Sequence, residues 1–215
     1  MLKNKKYIRE YLLDMQDFDK SRTKQNLARA FAGECQDGAR YQFLAQQAEQ
    51  EGYNYMQTIF KIHAKNEMAH AKKFYNLLTD NCSCKQRNIE ICGGYPFTKG
   101  TLLESIKDTM GAETSQTENV YPDFAKVAKD EGYPDIAKSF LFAASVENCH
   151  KLMLEQLYTK LKGKKLYKSA TPIKWKCSNC GFEHTAKSAW DTCPSCDMPQ
   201  GYVEIPIDMQ SGEEN

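Results

Sequence analysis

The segment 144-ASVENCHKLM-153 places a glutamate and a histidine one helical turn apart in an otherwise apolar stretch. Residues three apart lie on the same side of a helix, so Glu147 and His150 share a face. Other residues on that face, such as Phe140 and Leu154, are apolar. Charged side chains are rarely buried without a partner, because removing their water is costly. The segment therefore predicts a helix that carries a polar site inside the fold.

Three further segments show the same apolar rhythm in steps of three and four residues, which predicts three more long helices. The turns at Gly52 and Gly132-Tyr133-Pro134 are short and predict antiparallel hairpins, whereas residues 80–98 are too many for a tight turn and predict a crossover connection. The predicted inward positions are Leu27, Phe31, Glu34, Gly38, Tyr41, Ala45 and Ala48 in the first helix; Met56, Phe60, His63, Glu67, His70, Phe74 and Leu77 in the second; Leu102, Ile106, Thr109, Glu113, Gln116 and Val120 in the third; and Ile136, Phe140, Ala144, Glu147, His150, Leu154, Leu157 and Leu161 in the fourth.

The chain also contains an internal repeat. A shift of 80 residues maps Glu51-Gly52-Tyr53 onto Glu131-Gly132-Tyr133. The same shift pairs Tyr41 with Tyr121, Glu67 with Glu147, and His70 with His150. Glu34 misses Glu113 by one residue, and a single π-turn in the third helix would absorb the extra residue. Two similar helical hairpins joined by a crossover predict a four-helix bundle.

Among the polar residues on the predicted apolar faces, six form one pattern, namely Glu34, Glu67, His70, Glu113, Glu147 and His150. One glutamate from each of two helices and a Glu-x-x-His pair from each of the other two is the pattern of ferritin-like di-iron carboxylate proteins. Carboxylates and imidazoles suit iron or manganese, and four carboxylates neutralise two divalent ions. A lone Glu-x-x-His is usually a surface accident, and an inward histidine is usually a core residue. Six such residues in register with an internal repeat favour a two-metal site.

The segment after about residue 166 is turn-rich and cysteine-rich, and it predicts a second, small domain. Cys177-x-x-Cys180 and Cys193-x-x-Cys196 have the spacing that holds one metal ion with four thiolates. A structural zinc ribbon and a rubredoxin-like iron site both fit this spacing, but a redox-active bundle needs an electron source, which favours iron. The predicted domains are an N-terminal extension (1–20), a ferritin-like domain (21–165), a rubredoxin-like domain (166–208) and a polar tail (209–215).

Composition narrows the functional classes. The 215 residues carry a net charge of +1 with a pI near 7.5, which argues against a nucleic-acid or membrane-surface partner. No run of about 18 apolar residues predicts a membrane span, and the N-terminus lacks the pattern of a signal peptide, so we expect a cytoplasmic protein. In a reducing compartment, nine cysteines favour metal binding over disulfides.

Several stretches, spanning about residues 21–205, together resemble the rubrerythrin family. The family's first ligand helix is similar to the stretch SRTKQNLARAFAGECQDGARY of this chain, and the family's first Glu-x-x-His helix is similar to the stretch NEMAHAKKFYNLL. The segment VYPDFAKVAKDEGYPDIAKSF is similar to the family's Tyr-Pro helix and turn, and KWKCSNCGFEHT with CPSCDMPQ is similar to its rubredoxin-like tail.

The resemblance implies a cytosolic peroxidase of anaerobes that reduces hydrogen peroxide to water in oxidative-stress defence. It implies that the six bundle residues bind two non-haem irons, bridged by carboxylate and oxo groups when oxidised, and that Tyr41 and Tyr121 lie beside these ligands. The four cysteines would hold a single iron that receives electrons from a reductase or rubredoxin system. Family members form homodimers, in which the small domain of one chain lies near the di-iron site of the other.

One position departs from the family pattern. Gln116 stands where the family has a further glutamate, one turn beyond the ligand of the third helix. In the family that glutamate and the histidine equivalent to His70 exchange as iron ligands with redox state. An amide is a much poorer ligand, so we expect His70 to remain bound in both states. Gln116 also favours an alternative enzyme, a ferroxidase or dioxygen-reducing oxidase. The alternative outside the enzymes is a non-catalytic iron-binding or redox-sensing protein with a zinc ribbon.

The remaining unusual residues are expected to be spectators. The thiols of Cys35 and Cys149 point away from the neighbouring ligands, and His63 is expected to be a core residue or to lie beside the ligands. The predicted surface or solvent-side residues are Cys82, Cys84, Cys92 and His184. Apolar positions within residues 1–18 are compatible with a short docking helix.

Overall fold

The computed structural model describes residues 17–82, 88–97 and 99–208. Most of the candidate docking helix, the polar tail and Cys84 lie outside these ranges. Four helical segments among the described residues build the bundle, which confirms the predicted mainly α class. They are α1 (Arg22–Gln50); α2 (Asn54–Asn81); a third segment made of α3 (Leu102–Ser115), a π-helix (Gln116–Val120) and α4 (Tyr121–Asp130); and α5 (Pro134–Lys162). None of the described helices has the length and apolar character needed to cross a membrane.

The two hairpin turns are built alike, as the repeat predicts. Gly52 and Gly132 adopt φ angles of +80° and +89°, a region that favours glycine. The N–H of Tyr53 donates to the Ala48 carbonyl, and the N–H of Tyr133 donates to the Ala128 carbonyl, both at 2.8 Å. These bonds close the Schellman motif that ends a helix. The short antiparallel turns are therefore confirmed.

The predicted π-turn is also confirmed. The π-helix Gln116–Val120 follows Glu113 by less than one turn and absorbs the extra residue of the second repeat. Pro122 lies at the first positions of α4, where its missing N–H is tolerated best. With this irregularity Tyr121 is fully buried, as Tyr41 is in the first repeat.

A distant glutamate caps the start of α1. The Glu131 carboxylate accepts hydrogen bonds from the backbone N–H groups of Arg22 and Thr23, at 3.0 and 2.8 Å, and from the Thr23 hydroxyl. Burial alone raises the pKa of Glu131, but these hydrogen bonds and the charge of Arg22 outweigh it, so its pKa lies below the ordinary value. Satisfying the first N–H groups of a helix stabilises it by about 1 kcal/mol.

The chain divides into two compact units, each with its own core and each containing part of every bundle helix. The first comprises Met1–Gln36, Met68–Pro96 and Thr114–Glu147. Its core is centred on the rings of Phe74, Tyr121 and Phe140.

The second unit comprises Asp37–Glu67, Phe97–Glu113 and Asn148–Asn215. Within it, Leu166 and Ile205 of the C-terminal segment pack into the same core as the bundle residues Leu44 and Leu157. Gly201 lies against the α1–α2 turn, where a Cβ at this position would be only 1.8 Å from the Gly52 carbonyl oxygen. The C-terminal segment is thus packed tightly against one end of the bundle helices in this unit.

The small C-terminal domain is built on two antiparallel strands, β1 (Lys168–Lys176) and β2 (Glu183–Ser188). Trp175 of β1 is fully buried and packs with Ala189 and Val203. His184 lies opposite Trp175 on β2 and is exposed, as expected. The boundaries proposed at residues 20, 165 and 208 remain predictions.

Most predicted inward positions are buried, but Phe31 is not. Phe31 is 36% exposed and packs at the edge of the helices against the Tyr75 ring, at 6.0 Å between ring centres. An aromatic ring is long enough to lie along the helix surface and cover its neighbour while staying in contact with water. Five further positions are half-buried, namely Leu77, His70, Gln116, Val120 and Leu161.

Candidate metal centres

One cluster of polar side chains contains Glu34 from α1, His70 from α2 and Glu147 from α5. The His70 Nδ1 atom lies 3.1 Å from a Glu147 carboxylate oxygen and 3.5 Å from a Glu34 oxygen. Both glutamates are fully buried. The Tyr121 hydroxyl donates a short hydrogen bond to the second Glu34 oxygen. This bond fixes the Glu34 carboxylate and leaves its other oxygen facing His70.

A second cluster repeats this arrangement with Glu67 from α2, Glu113 from α3 and His150 from α5. The His150 Nδ1 atom lies 2.8 Å from a Glu67 oxygen and 4.0 Å from a Glu113 oxygen. The Tyr41 hydroxyl donates to that Glu113 oxygen at 2.6 Å. All three side chains are almost completely buried. The repeat in the sequence thus appears as two similar Glu/His clusters, and a tyrosine donates a hydrogen bond to one glutamate of each.

The spacing of these atoms fits metal binding. Two groups each offer four ligand atoms that all lie within 4.8 Å of one another: Glu34, Glu67, His70 and Glu147; and Glu67, Glu113, Glu147 and His150. Opposite ligands of an ion bound at roughly 2 Å are separated by about 4 Å, so this spacing is suitable. Buried carboxylates need a compensating charge, which divalent cations supply. The six residues singled out from the sequence therefore lie in groups with spacing that suits a metal ion, and their role as ligands stays a prediction.

Gln116 belongs to neither group of candidate ligands. It begins the π-helix and is half-buried, and its amide nitrogen lies 3.9 Å from where a Cβ would stand on Gly33, the residue before Glu34. Gln116 is therefore positioned beside the first cluster.

His70 is the most accessible of the six residues. Its side chain is 20% exposed, whereas those of Glu34 and Glu147 are fully buried. A cleft of about 350 Å³ opens at His70 between α2 and α5. Its polar and aromatic walls include Lys73, Lys138, Asp135, Ser139, Phe74 and Phe142. Nothing in the helical periodicity of the sequence indicates this gap between two packed helices.

The four cysteines form the third cluster, and all four sulfur atoms lie within 4.8 Å of one another. The Sγ atoms of Cys177 and Cys196, and those of Cys180 and Cys193, are 3.8 Å apart. A disulfide would require about 2.05 Å. A tetrahedral ion with metal–sulfur bonds of about 2.3 Å places its sulfur atoms roughly 3.8 Å apart, so the cluster has the dimensions of a tetrathiolate site.

Each cysteine knuckle turns through a residue with positive φ. Gly181 has a φ of +78° and donates its N–H to the Cys177 carbonyl, and Asp197, with a φ of +57°, donates to the Cys193 carbonyl. Burial raises the pKa of Cys177 to about 11, whereas a hydrogen bond from the backbone of Met198 and one from the Asn179 side chain lower the pKa of Cys196 to about 6. Binding of a cation would therefore release protons from this site.

The other cysteines of the described chain have no such arrangement. Burial, and secondly the charge of Glu34, raises the pKa of Cys35, which disfavours its reactive thiolate form. Cys149 is half-buried, Cys82 packs beside the core of the first unit, and Cys92 is exposed. Cys92 is thus on the surface as expected, whereas Cys82, which was expected on the solvent side, is half-buried because it packs against this core. That these thiols are spectators stays a prediction.

Comparison with known proteins identifies related sequences and folds. The family profile described as rubrerythrin matches residues 25–158, and the one described as the rubrerythrin rubredoxin-like domain matches residues 175–204. A rubrerythrin from Clostridium perfringens (strain 13 / Type A) is 36% identical over 192 residues, covering 89% of this chain and 97% of that protein.

Two solved structures share the fold. A partially reduced nigerythrin superposes with a TM-score of 0.57 and 22% identity, covering 86% of each chain. The bacterioferritin of Desulfovibrio desulfuricans superposes with a TM-score of 0.52 and 19% identity, covering 66% of this chain and 85% of that one. The predicted ferritin-like bundle with a rubredoxin-like C-terminal domain is confirmed. The chain thus carries candidate di-iron ligands in the bundle and a four-cysteine site in its tail.

Proposed function

This chain belongs to the rubrerythrin family, and on that premise we propose that it is a non-haem di-iron peroxidase, which reduces hydrogen peroxide to water. One observation carries the proposal: a single chain combines two buried Glu/His clusters with a four-cysteine cluster. The two Glu/His clusters can hold the ions that react with peroxide, and the cysteine site can return electrons to these ions.

Each iron is assigned to one cluster. Glu34 and His70 would hold the first iron, and Glu113 and His150 would hold the second. Glu67 and Glu147 would serve both ions, because each belongs to both groups of closely spaced ligand atoms. When bound in the ferrous state, the two irons supply the two electrons that, with two protons, convert one hydrogen peroxide into two waters.

The protein residues keep the site in shape during this change of charge. Four carboxylates balance the charge of two divalent ions. The hydroxyls of Tyr41 and Tyr121 hold Glu113 and Glu34, so these two carboxylates cannot rotate freely. The cleft at His70 admits a molecule as small as peroxide, and the deep burial of the second cluster excludes bulk water.

The four cysteines act as the electron relay. Their spacing suits an iron whose thiolate shell changes little between the ferrous and ferric states. An iron held by the four cysteines would take electrons from a reductase or a rubredoxin system and supply them to the bundle one at a time. A homodimer allows the tail of one chain to serve the bundle of its partner.

Anaerobic reconstitution followed by rapid mixing tests the proposal. The parent, reconstituted with iron and reduced with dithionite, is expected to oxidise in one fast phase on mixing with hydrogen peroxide and to turn over repeatedly when a reductant is supplied. Cys177→Ser should retain the single fast phase in the bundle but lose repeated turnover. Cys92→Ser, a change at an exposed thiol outside the cluster, is the matched control. Uptake of no iron beyond the cysteine site would refute the proposal.

A second activity, oxidation by dioxygen as in a ferroxidase, is favoured by Gln116. This amide is positioned beside the first cluster but is a poor iron ligand, so His70 stays bound in both redox states. The same experiment separates the two activities when peroxide and dioxygen are compared as oxidants at equal concentration. Faster reaction with dioxygen would favour the oxidase, and a colourless protein with one zinc per chain in the tail would remove the electron route altogether.

A further inference from the structure

The cleft at His70 is larger than hydrogen peroxide requires. Its volume is about 350 Å³. Two water molecules, which have as many oxygen atoms as one hydrogen peroxide, occupy about 60 Å³ in the liquid. Sites that hold small organic ligands begin at about 300 Å³. The cleft therefore has room for an organic group in addition to a peroxide group.

One face of α5 forms the long wall of this cleft. Its residues follow one another in steps of three and one, which places them on the same side of the helix: Asp135, Lys138, Ser139, Phe142, Ala143 and Val146. From the first to the last of them the wall is about 16 Å long. His70 lies 3.1 Å from Glu147, the residue after Val146, so the first cluster is at the Val146 end of the cleft.

The polar groups of the α5 wall have partners within that wall. The Lys138 ammonium forms an ion pair with the Asp135 carboxylate at 3.2 Å, and the Ser139 hydroxyl donates to the Asp135 carbonyl at 3.0 Å. These residues belong to the first turns of α5, away from the first cluster. Between them and His70 the wall consists of apolar side chains. A ligand that reaches His70 therefore lies mainly against apolar surface.

Phe142 is the largest apolar side chain of this wall, and most of it is in contact with water. It is 71% exposed, and the adjacent Leu141 is 51% exposed. Removing an aromatic ring from water is favourable, and exposed apolar surface beside a groove commonly marks a binding site. On the opposite wall, Phe74 of α2 supplies a second, buried ring. The cleft thus favours a ligand whose organic group is itself apolar.

We propose that this cleft is a substrate site for organic hydroperoxides. The apolar group of the hydroperoxide lies against Phe142, Ala143 and Phe74, and its –OOH group points to the first cluster at His70. This inference rests on the proposed peroxidase function and adds a second class of substrate. The reaction balances as it does for hydrogen peroxide: the O–O bond breaks, and two electrons from the two ferrous ions, with two protons, convert ROOH into the alcohol ROH and one water.

Binding of the product alcohol to the metal-free, full-length protein tests the cleft without relying on catalysis. The probe is 2-phenyl-2-propanol, which is the alcohol formed from cumene hydroperoxide, and its titration is followed by ligand-observed NMR. An alcohol of this size is expected to bind with a Kd in the millimolar range. Phe142→Ala should weaken its binding by about 3- to 10-fold, because an aromatic contact is lost. Phe43→Ala removes an equally accessible ring from α1, outside the cleft, and should leave the affinity unchanged.

Stopped-flow mixing of the reduced, iron-loaded protein tests the reaction itself. Cumene hydroperoxide is expected to oxidise the parent in a single phase, as hydrogen peroxide does. The ratio of the rate constants for cumene hydroperoxide and hydrogen peroxide should fall by about 3- to 10-fold in Phe142→Ala and stay constant in Phe43→Ala.

The outcomes separate this inference from the proposed function. Reaction with hydrogen peroxide but not with cumene hydroperoxide would overturn the inference and leave the peroxidase intact. No binding of the alcohol, or equal binding to the parent and Phe142→Ala, would overturn it as well. A change of oligomeric state in Phe142→Ala but not in Phe43→Ala, measured by sedimentation, would assign the cleft to an interface between copies and overturn the substrate site. A protein that reacts with neither oxidant would overturn both proposals. Weaker binding of the alcohol and a lower rate ratio in Phe142→Ala alone, at an unchanged oligomeric state, would support the site.

Discussion

Replacing Glu147 with glutamine should stabilise the metal-free protein and remove most of the stabilisation that bound iron gives to the folded chain. Glu147 is completely buried and lies 3.1 Å from His70. Without metal, a buried carboxylate among other carboxylates is destabilising, and its effective cost is several kcal/mol. Glutamine has nearly the same shape but no charge. If the gain is about 1 kcal/mol, the Tm of the metal-free protein rises by roughly 2–4 °C for a chain of this size.

The response to iron changes in the opposite direction. Ligand at about 100 times its Kd stabilises a folded protein by about 2.7 kcal/mol, which corresponds to roughly 5–11 °C in this size range. A 100-fold loss of affinity in Glu147→Gln reduces this to about 0.4 kcal/mol, or roughly 1–2 °C. Without iron, the variant is therefore expected to be more stable than the parent. Adding iron is expected to raise the Tm of the variant less than that of the parent.

Thermal unfolding under anaerobic conditions, with and without ferrous iron, measures both effects. Glu155→Gln is the matched control, because it makes the same change on an exposed site of α5 and leaves the cysteine site equally able to bind iron. The reasoning is wrong if Glu147→Gln lowers the Tm of the metal-free protein, or if its rise in Tm with iron equals that of Glu155→Gln.

Three further changes test other parts of the molecule. Gln116→Glu supplies a carboxylate beside the first cluster and should change the rate with peroxide in stopped-flow mixing; unchanged rates and unchanged iron positions would contradict this. Gly201→Ala should destabilise the protein by about 1–3 kcal/mol in chemical unfolding, because the added methyl group overlaps the Gly52 carbonyl; parental stability would show that the contact yields easily. Glu131→Gln should cost about 1 kcal/mol at neutral pH. Because folding lowers the pKa of Glu131, the parent's advantage is present above its ordinary pKa of 4.5 and is lost as the pH falls through the lower folded value, so urea midpoints of the two proteins should converge in acid; a constant difference would refute the assignment.

The sequence was informative wherever a residue's role depends on its helical neighbours. The spacing of Glu147 and His150, and its repetition 80 residues earlier, sufficed to predict the bundle and the six polar residues inside it. The π-helix followed from the single residue that disturbs the repeat between Glu34 and Glu113. These features are local or periodic, so they leave a trace in one sequence.

Features that depend on contacts between distant segments left no such trace. The cap that Glu131 provides for α1 joins residues 108 positions apart. Gly201 lies very close to the α1–α2 turn, but nothing in the sequence distinguishes it from an ordinary turn glycine. Phe31 fits the apolar stripe of α1, yet it packs at the edge of the helices, because position on a helix face does not determine how far a neighbouring helix extends over it.

The two tyrosine bonds cross between the halves of the repeat: Tyr41 of the first hairpin holds Glu113 of the second, and Tyr121 of the second holds Glu34 of the first. Each half therefore completes the other, and neither can shape its own carboxylate alone. A polypeptide half as long, associating with an identical copy about a twofold axis, would satisfy the same pair of bonds. The 80-residue repeat and these reciprocal bonds are the pattern expected of a duplicated hairpin, and the segment before Tyr121 is where the two copies differ in length by one residue.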